Sequence, residues 1–257
     1  MTSSHVTWDI EGSAGIVTFN RPEARNALTW EMYDALVAAC DRAEATSGVR
    51  VLVIRGAGGA FAAGTDISQF RDFRTGEDGI AYERRLDAVI DRLEQVTLPT
   101  IAEVDGPAVG GGCAIAIACD LRICSDRARL GMPIARTLGN CLSSSNMARL
   151  VDLVGVARAR ELLLVGRLLD ADEALAIGLA TRVVAVEQLA DEVRALAGDL
   201  ATRAPSTIAA TKKMLLKLRE HRQPAPGSAD DVIAACYGSA DFREGVAAFL
   251  DKRPPRF

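Results

Sequence analysis

Gly106-Pro-Ala-Val-Gly-Gly-Gly112, followed by Cys113-Ala-Ile-Ala-Ile-Ala-Cys-Asp120, is the stretch of this chain that says most about its fold. The strand-like segment Thr100 to Val104 leads into three consecutive glycines, and an apolar helix of small residues follows. Glycine lacks a Cβ atom, so a ligand can approach the bare backbone N–H groups, and the N-terminus of a helix carries partial positive charge. The stretch therefore predicts a turn between a strand and a helix that holds a developing negative charge.

The composition is that of a globular protein, and we expect neither nucleic acid nor membrane as a partner. Hydrophobic residues make up 49% and charged residues 25% of the 257 residues, which are enough for one large domain or two small ones. The net charge of −4, with acidic and basic residues interspersed, gives no basic surface for a nucleic acid. No apolar run reaches the roughly 18 residues of a transmembrane helix, and no signal-peptide pattern opens the sequence, so we expect a cytoplasmic protein.

The cysteine and histidine content argues against disulfides, metal sites and histidine-based catalysis. The six cysteines have no Cys-x-x-Cys spacing and lie mostly in apolar contexts, which favours free thiols in a reducing compartment. They are Cys40, Cys113, Cys119, Cys124, Cys141 and Cys236. His5 and His221 lie far apart in the sequence, so we expect neither a metal site nor a histidine-based triad.

The first two-thirds of the chain alternates strand and helix patterns. Ile16 to Phe19 is typical of a strand, and Thr29 is placed to cap an amphipathic helix. The apolar face of that helix consists of Met32, Leu36, Cys40 and Ala43. Val51 to Ile54 is a continuous apolar run ended by Gly56, as in a strand buried on both faces. This alternation predicts an α/β fold with crossover helices.

The remaining elements extend the same pattern and then become helical. A polar helical segment is predicted over Ser68 to Val96, and further strands over Thr100 to Val104 and Leu121 to Cys124. From Ser143 onward the periodicity is almost entirely helical, apart from one strand-like piece at residues 181–184. Prolines and a glycine predict a loop over residues 222–228.

Two glycine-containing turns, each following a strand, form the candidate site. They are Ala60 to Ile67 and Gly110 to Gly112. Either turn alone is commonly an ordinary tight turn. Together they can direct two peptide N–H donors at one oxygen, which is the geometry that stabilises an enolate or a tetrahedral oxyanion, and loss of one such donor costs roughly 3 to 4 kcal/mol.

Five segments of the chain match, in order and spacing, a pattern known from one enzyme superfamily. They are Asn20-Arg-Pro-Glu-Ala-Arg-Asn-Ala-Leu28, Phe61-Ala-Ala-Gly-Thr-Asp-Ile67, Asp105-Gly-Pro-Ala-Val-Gly-Gly-Gly112, the pair Cys119-Asp120, and the ending Asp241 to Phe257. This pattern resembles the enoyl-CoA hydratase/isomerase (crotonase) superfamily. The resemblance implies a repeated ββα spiral core over residues 1–200 that contains the acyl-CoA site. It also implies a C-terminal helical region over residues 201–257 that contacts coenzyme A and forms a homotrimer or a hexamer.

The same resemblance implies a coenzyme A thioester as substrate, no permanently bound cofactor, and a role in fatty acid metabolism. By position, the backbone N–H groups of Thr65 and Gly111 would form the oxyanion hole around the thioester carbonyl. The CoA path would be lined by Ala24, Arg25, Ala27, Ala63, Asp66, Ile67 and Ser68. Phe249 and Lys252 resemble residues that reach CoA, sometimes from an adjacent subunit. Alternatively, Arg25 is a solvated loop residue and Lys252 a cation in the last turn of a helix.

The chain departs from the family pattern at the residues that move protons. A hydratase of this family uses two glutamates to position water and transfer protons, as paired carboxylates can. The first position, two residues after the glycine triplet, is Ala114 here. The second falls on Ile134, or on Ala135 if one residue is inserted. The two-glutamate mechanism is therefore not expected from this sequence.

Other polar residues are candidates for the missing role. Cys141 is the most reactive candidate if Arg136 or a helix N-terminus stabilises its thiolate, although a buried small hydrophobe is the commoner interpretation. Glu103, on an otherwise apolar strand, is a candidate base or an edge-exposed carboxylate. Asp66 follows one proposed donor and is either catalytic or a residue that holds the loop. Asp120 is interpreted as a structural carboxylate that accepts backbone hydrogen bonds.

Two hypotheses about function follow from these residues. The first is a CoA-thioester enzyme of the hydratase/isomerase type, which stabilises a thioester enolate at Thr65 and Gly111 by a mechanism other than the two-glutamate one. The second is a catalytically inactive acyl-CoA-binding or scaffold homologue that keeps the fold and the oligomer. The intact glycine turns favour the first hypothesis, and the missing acids favour the second.

Overall fold

The computed structural model describes residues 5–222 and 225–257, and a six-stranded sheet forms its centre. The strands of the described residues are β1 (Val6–Glu11), β2 (Ala14–Phe19), β3 (Val51–Gly56), β4 (Thr100–Val104), β5 (Pro107–Val109), β6 (Leu121–Ser125), β7 (Arg129–Gly131) and β8 (Arg182–Val184). Six of them follow the order β1-β2-β3-β4-β6-β8, with β1 and β2 antiparallel and the other neighbours parallel. β5 and β7 form a separate parallel pair. Residues 223 and 224 of the predicted loop lie outside the described residues.

Helices cover both faces of this sheet and form most of the C-terminal third. They are α1 (Trp30–Ala45), α2 (Gly76–Glu94), α3 (Gly111–Ala118), α4 (Ile134–Thr137), α5 (Ser144–Arg160), α6 (Ala171–Ala176), α7 (Leu189–Ala201), α8 (Pro205–Glu220), α9 (Asp230–Tyr237) and α10 (Ala240–Leu250). Short 3₁₀ helices cover Pro22–Ala24, Ile67–Phe70 and Val186–Gln188. The α/β class predicted from the alternating pattern is confirmed.

Helix α1 forms where the sequence predicted it. The Oγ1 atom of Thr29 accepts a hydrogen bond from the backbone N–H of Met32, which satisfies one of the free donors of the first turn. The four apolar residues of the predicted face are all buried, and Tyr33 is buried on the same helix. The predicted face is therefore confirmed, and one aromatic residue widens it.

The sheet is buried on both faces, which explains the continuous apolar run of β3. Leu52 and Ile54 belong to the core on the side of α1, α2 and α3, whereas Val51 and Val53 pack with residues of α7. Side chains alternate along a strand, so a strand covered on both faces needs apolar residues at every position.

The polar segment predicted as one helix from Ser68 to Val96 is two helices. A 3₁₀ turn covers Ile67–Phe70, and α2 begins at Gly76. The Asp78 side chain accepts a hydrogen bond of 2.8 Å from the backbone N–H of Thr75, in a capping box that defines the start of α2. Local hydrogen bonding sets this boundary, and the spacing of apolar residues in the sequence does not predict it.

A second layer of short pairings lies beside the main sheet and carries both glycine turns. β5 pairs with β7, and single parallel bridges join Ala62 to Ala108 and Leu28 to Thr65. The two turns therefore lie next to each other. Farther along the chain, α9 packs against α2 and α10 packs against the 3₁₀ turn Ile67–Phe70. The separation into a core of residues 1–200 and a helical region of residues 201–257 stays a prediction.

Candidate active site

Backbone hydrogen bonds hold the loop of residues 62–66 between two neighbouring segments. On one side, Leu28 donates to the carbonyl of Gly64 (2.7 Å) and Asp66 donates to the carbonyl of Leu28 (2.9 Å). On the other side, Ala62 and β5 exchange N–H···O bonds of 3.0 and 2.9 Å. The loop is thus fixed from both sides, as a strand in a sheet would be.

The backbone N–H groups of Thr65 and Gly111 belong to neighbouring residues, and both lack a partner among the described residues. Thr65 stands opposite Leu28 in a parallel pairing that uses only the flanking groups, so its own N–H points away from Leu28. Gly111 is the first residue of α3, where N–H groups have no partner inside the helix. A Cβ atom built on Gly111 would lie 3.5 Å from the Thr65 nitrogen, so the two residues are close neighbours. Within residues 5–222 and 225–257, neither amide donates a hydrogen bond.

Close packing requires glycine at position 111. A Cβ atom there would lie 2.3 Å from the Oη atom of Tyr33, closer than real Cβ atoms approach another atom, and 3.0 Å from the Oγ1 atom of Thr65. Gly110, one residue earlier, has a φ of +51°, a conformation that residues with a Cβ atom rarely adopt. Close packing at position 111 and backbone conformation at position 110 therefore both favour glycine in this turn.

Three hydroxyl groups adjoin the two amides. The Thr65 Oγ1 atom lies 2.8 Å from the Oη of Tyr33 and 2.8 Å from the Oη of Tyr82. Tyr33 is fully buried, and burial raises the pKa of both tyrosines far above the usual value, so both stay protonated at neutral pH. Nothing in the sequence pattern marks this group, because each tyrosine looks like one more core residue of its helix.

The loop that resembles the CoA-contacting segment adjoins the same turn. Arg25 and Asn26 have φ angles of +50° and +56°, and the Arg25 carbonyl accepts a hydrogen bond of 3.0 Å from the N–H of Ala63. The buried Asn26 side chain donates to the carbonyls of Ala57 (2.9 Å) and Ala60 (2.7 Å). Asn26 was not among the predicted site residues; the tolerance of asparagine for positive φ is its only sequence signal. The two predicted groups of CoA-lining residues are thus brought together.

Asp66 holds the turn and does not present a free carboxylate. Its Oδ2 atom accepts a hydrogen bond of 2.6 Å from Arg21, and its Oδ1 atom accepts from the backbone N–H (3.0 Å) and the hydroxyl (2.7 Å) of Ser68. Partial burial acts to raise the pKa of Asp66, but the hydrogen bonds from Ser68 and Arg21 outweigh it, so this pKa lies below its usual value. Of the two interpretations of Asp66, this arrangement supports the one in which it holds the loop.

Phe249 lies in the last turn of α10, and Lys252 follows shortly after the end of that helix. Phe249 is 57% exposed, and Lys252 is exposed with a φ of +54°. Their helix reaches the site through Phe242, whose ring lies 5.8 Å from that of Phe70. Among the described residues, no hydrogen bond or ring contact joins Phe249 or Lys252 to the two loops, and their contact with CoA stays a prediction.

No carboxylate stands at the positions where the resemblance expects glutamates. Ala114 is buried in α3, Ile134 is half-buried at the start of α4, and Ala135 is exposed. Glu103 does not replace them. Val104 faces the side of α3, so Glu103 faces α7, where it lines a cavity of about 580 Å³ on the far side of the sheet.

The buried carboxyl group of Glu83 was not predicted from the sequence. Glu83 on α2 is 2% exposed, and it accepts hydrogen bonds from the hydroxyl of Tyr237 and from the backbone N–H of Ser143 (3.0 Å). Burial raises the pKa of Glu83 to about 8 in spite of these donors. A glutamate in a helix normally indicates a solvated face; the only contrary signal is its spacing of three residues from both Ile80 and Leu86 on the buried face.

The surroundings of Cys141 do not stabilise a thiolate. Cys141 is half-buried between α4 and α5, and contact with the thiol of Cys236, together with burial, raises its pKa far above the usual value. The catalytic role of Cys141 stays a prediction that this environment does not favour. Asp120, in contrast, is structural as predicted, because its Oδ2 atom accepts hydrogen bonds from the N–H (2.7 Å) and the hydroxyl (2.9 Å) of Thr100.

Three further features concern the described residues as a whole. None of their helices is both long enough and apolar enough to cross a membrane. They contain no group of three or more His, Cys, Asp or Glu side chains that could hold a metal ion. All six cysteines are free thiols.

Comparison with known proteins identifies the family. The sequence pattern of the enoyl-CoA hydratase/isomerase family matches residues 9–257. A protein from Thermus thermophilus is 37% identical in an alignment 255 residues long that covers 96% of this chain and 98% of that protein. The short-chain-enoyl-CoA hydratase of Clostridium acetobutylicum is 33% identical over 98% of this chain and 97% of its own length. A solved methylmalonyl-CoA decarboxylase in complex with 2-nitronate-propionyl-CoA aligns with a TM-score of 0.90 at 27% identity, covering 100% of this chain and 99% of that chain.

Fold and sequence together define an α/β protein of the crotonase class. The chain belongs to the enoyl-CoA hydratase/isomerase family. The resemblance drawn from five sequence segments is thereby confirmed, and so is the fold that it implied.

Proposed function

We propose that this protein binds an acyl-CoA thioester and stabilises its enolate between the backbone N–H groups of Thr65 and Gly111. The observation that carries the proposal is that these neighbouring amides donate no hydrogen bond within the described residues, and that Gly111 begins helix α3. Donors that are in place before the reaction stabilise charge developing on a carbonyl oxygen, and each is worth roughly 3 to 4 kcal/mol. The helix N-terminus adds a favourable partial charge.

Hydration or double-bond isomerisation of an enoyl-CoA is the activity that fits the family best. Polarising the thioester carbonyl makes the β-carbon electrophilic for water and makes the neighbouring C–H bonds more acidic. Ala114 and Ile134 have no ionisable group, so two glutamates do not position the water here. The proton-transferring group is therefore another residue or a group of the substrate itself.

Coenzyme A is proposed to lie along the two loops that meet at the turn. The predicted CoA-lining residues at 24–27 and at 63–68 adjoin, and Arg25 is an exposed cation beside them. Phe249 and Lys252 are exposed at the end of the helix that packs on the same turn, where they are available to the nucleotide end of the ligand. The chemistry needs no permanently bound cofactor.

Decarboxylation of a malonyl-type thioester is a second candidate. When CO₂ leaves, the electron pair of the broken C–C bond passes into the enolate, so no base is required to form it, and a proton added to the α-carbon completes the reaction. The absence of carboxylates at Ala114 and Ile134 favours this chemistry. The high TM-score with a methylmalonyl-CoA decarboxylase is consistent with it.

We further propose that the protein self-associates as a trimer or hexamer in the cytoplasm. Met214, Leu215 and Leu218 on α8 are about 60% exposed, and such a cluster of large apolar side chains favours contact with a second copy of the chain. The six free thiols, four of them buried, fit a reducing compartment.

A substrate panel tests these proposals. Purified protein is mixed with crotonyl-CoA, longer and branched enoyl-CoAs and methylmalonyl-CoA, with loss of enoyl absorbance and product masses as readouts, while butyryl-CoA binding is measured by calorimetry. Turnover of an enoyl-CoA supports the hydratase/isomerase proposal, and turnover of methylmalonyl-CoA alone supports the second candidate. Butyryl-CoA binding without any turnover supports the inactive scaffold. Absence of binding to every acyl-CoA refutes the proposal.

A matched pair of variants tests the oxyanion hole. Gly111→Pro and Gly111→Ala introduce a Cβ atom at the same place, but only proline removes the N–H group, and proline is tolerated in the first turn of a helix. We expect the proline variant to lose about a hundredfold more kcat than the alanine variant, the scale of losing one donor. Equal activities in the two variants would contradict the assignment of this amide.

A further inference from the structure

The three hydroxyl groups beside the amides hold one more hydrogen than they can use among themselves. Tyr33, Thr65 and Tyr82 each carry one hydroxyl hydrogen, and two O···O contacts of 2.8 Å connect them. Two hydrogen bonds consume two hydrogens whichever way each bond is directed, so one hydrogen is left over. In the part of the chain that the structure describes, these three oxygens make no other hydrogen bond.

The oxygen in the middle of the chain is the one that keeps the spare hydrogen. A hydroxyl oxygen has two lone pairs, and the Oγ1 atom of Thr65 has a phenol on each side. Either oxygen of each pair can donate, and a phenol is a better donor than an aliphatic alcohol, so the favoured arrangement has Tyr33 and Tyr82 both donating to Thr65. The Thr65 hydrogen then points away from both rings. Thr65 is also the most exposed of the three, at 8% against 6% for Tyr82 and none for Tyr33.

This spare donor belongs to the residue whose amide is proposed to bind the thioester oxygen, and it adjoins the second proposed donor, Gly111. A Cβ atom built on Gly111 would lie 3.0 Å from the Thr65 Oγ1 and 3.5 Å from the Thr65 nitrogen, so both polar atoms of Thr65 adjoin Gly111, and the Tyr33 hydroxyl fills the Cβ position itself. We propose that the hydroxyl of Thr65 is a third hydrogen-bond donor to the thioester oxygen, held in that direction by Tyr33 and Tyr82. This inference rests on the proposed function, in which the two amides bind that oxygen.

The arrangement favours the enolate over the bound substrate. A buried donor without an acceptor is costly, and the ligand oxygen relieves that cost. The bond strengthens as negative charge develops, because hydrogen bonds to ionised acceptors are shorter and stronger than neutral ones. An interaction that is stronger in the transition state than in the ground state raises kcat and does not merely improve binding.

The test uses butyryl-CoA, which has no double bond to hydrate and therefore does not react. Its carbonyl carbon is labelled with a heavy isotope. Infrared difference spectra of the complex report the carbonyl stretching frequency, which falls as the oxygen accepts more hydrogen bonds. Thr65→Val removes the hydroxyl and keeps the backbone N–H, and Thr65→Ser restores the hydroxyl. We expect Thr65→Val to lose part of the shift in carbonyl frequency. On the substrate that the panel identifies, its kcat should fall about tenfold or more, on the scale of oxyanion-hole donors. Thr65→Ser should retain both the shift and the kcat.

A second pair of variants avoids unpaired tyrosine hydroxyls. Tyr33→Phe with Tyr82→Phe keeps only the Thr65 hydroxyl, and adding Thr65→Val to that double variant removes all three hydroxyls. Replacing both partners of a hydrogen bond by apolar groups of the same shape is nearly neutral for folding. The two proteins therefore differ by the Thr65 hydroxyl alone, and we expect the larger carbonyl shift in the one that keeps it.

The outcomes separate this inference from the proposed function. Wild-type protein that binds butyryl-CoA without lowering its carbonyl frequency overturns the oxyanion hole itself. A wild-type shift that Thr65→Val and the triple variant both retain in full overturns the third donor and leaves the two amides in place. A shift that is reduced in both, and restored by Thr65→Ser, supports the Thr65 hydroxyl.

Discussion

The buried carboxyl group of Glu83 makes the stability of this protein depend on pH. The side chain is 2% exposed on α2, and burial raises its pKa from the ordinary 4.5 to about 8, although Tyr237 and Ser143 donate hydrogen bonds to it. Between these two pH values the folded protein keeps the proton and the unfolded chain has lost it. The free energy of unfolding contributed by this group is thus fully present below pH 4.5 and is lost as the pH rises through 8.

The size of the effect follows from the difference between the two pKa values. Each unit of difference corresponds to about 1.4 kcal/mol, so a rise from 4.5 to about 8 gives a total on the order of 5 kcal/mol. Over a window of two pH units inside that range, we expect the free energy of unfolding to fall by about 2 to 3 kcal/mol. Such a change is a large fraction of the stability of a typical domain.

Urea unfolding between pH 5.5 and 7.5, at one fixed protein concentration, is the assay. Glu83→Gln keeps the size of the side chain and cannot ionise, so its unfolding free energy should lose most of this dependence on pH. Glu77→Gln changes an exposed glutamate of the same helix and should behave like the wild type. If the wild-type and Glu83→Gln curves run parallel across the range, the reasoning about Glu83 is wrong.

Three further outcomes are expected. Gly111→Ala should lower the free energy of unfolding by about 1 to 3 kcal/mol through overpacking, because its Cβ atom would lie 2.3 Å from the Tyr33 hydroxyl. Adding Tyr33→Phe should recover part of that loss, and unchanged stability in Gly111→Ala would contradict the contact. Cys141 should react slowly with iodoacetamide at neutral pH, as measured by mass spectrometry, because its pKa is raised. Fast labelling would instead support a catalytic role for Cys141. Leu218→Glu should shift the mass in solution from oligomer to monomer, as measured by light scattering, whereas an unchanged mass would place the interface elsewhere.

Much of the fold was predictable because its signals are local. The spacing of the apolar residues after Thr29 predicted α1 and its buried face, and the unbroken run at Val51 to Ile54 predicted a strand covered on both sides. The glycines at 110–112 predicted the start of α3, because only glycine readily adopts the backbone conformation and allows the close packing found there. The boundary of α2 was not predictable from periodicity, since a capping box sets it.

The candidate site was predictable only in part. The pairing of the two glycine turns was recognisable from the order of five segments along the chain. The side of the sheet that Glu103 faces was not, because it depends on the register of β4 and on which helices cover each face. Glu83 looked like any surface glutamate, and only the packing of α9 against α2 buries it beside Tyr237.

The sequence by itself determined the class of elements, the glycine turns and the absence of glutamates at Ala114 and Ile134. These properties depend on residue type and on near neighbours along the chain. The tertiary structure alone decided that Tyr33 from α1 and Tyr82 from α2 meet at the hydroxyl of Thr65, beside the amide of Gly111. Such contacts join residues that are distant in sequence, and their geometry is set by how the helices pack on the sheet, which no local pattern records.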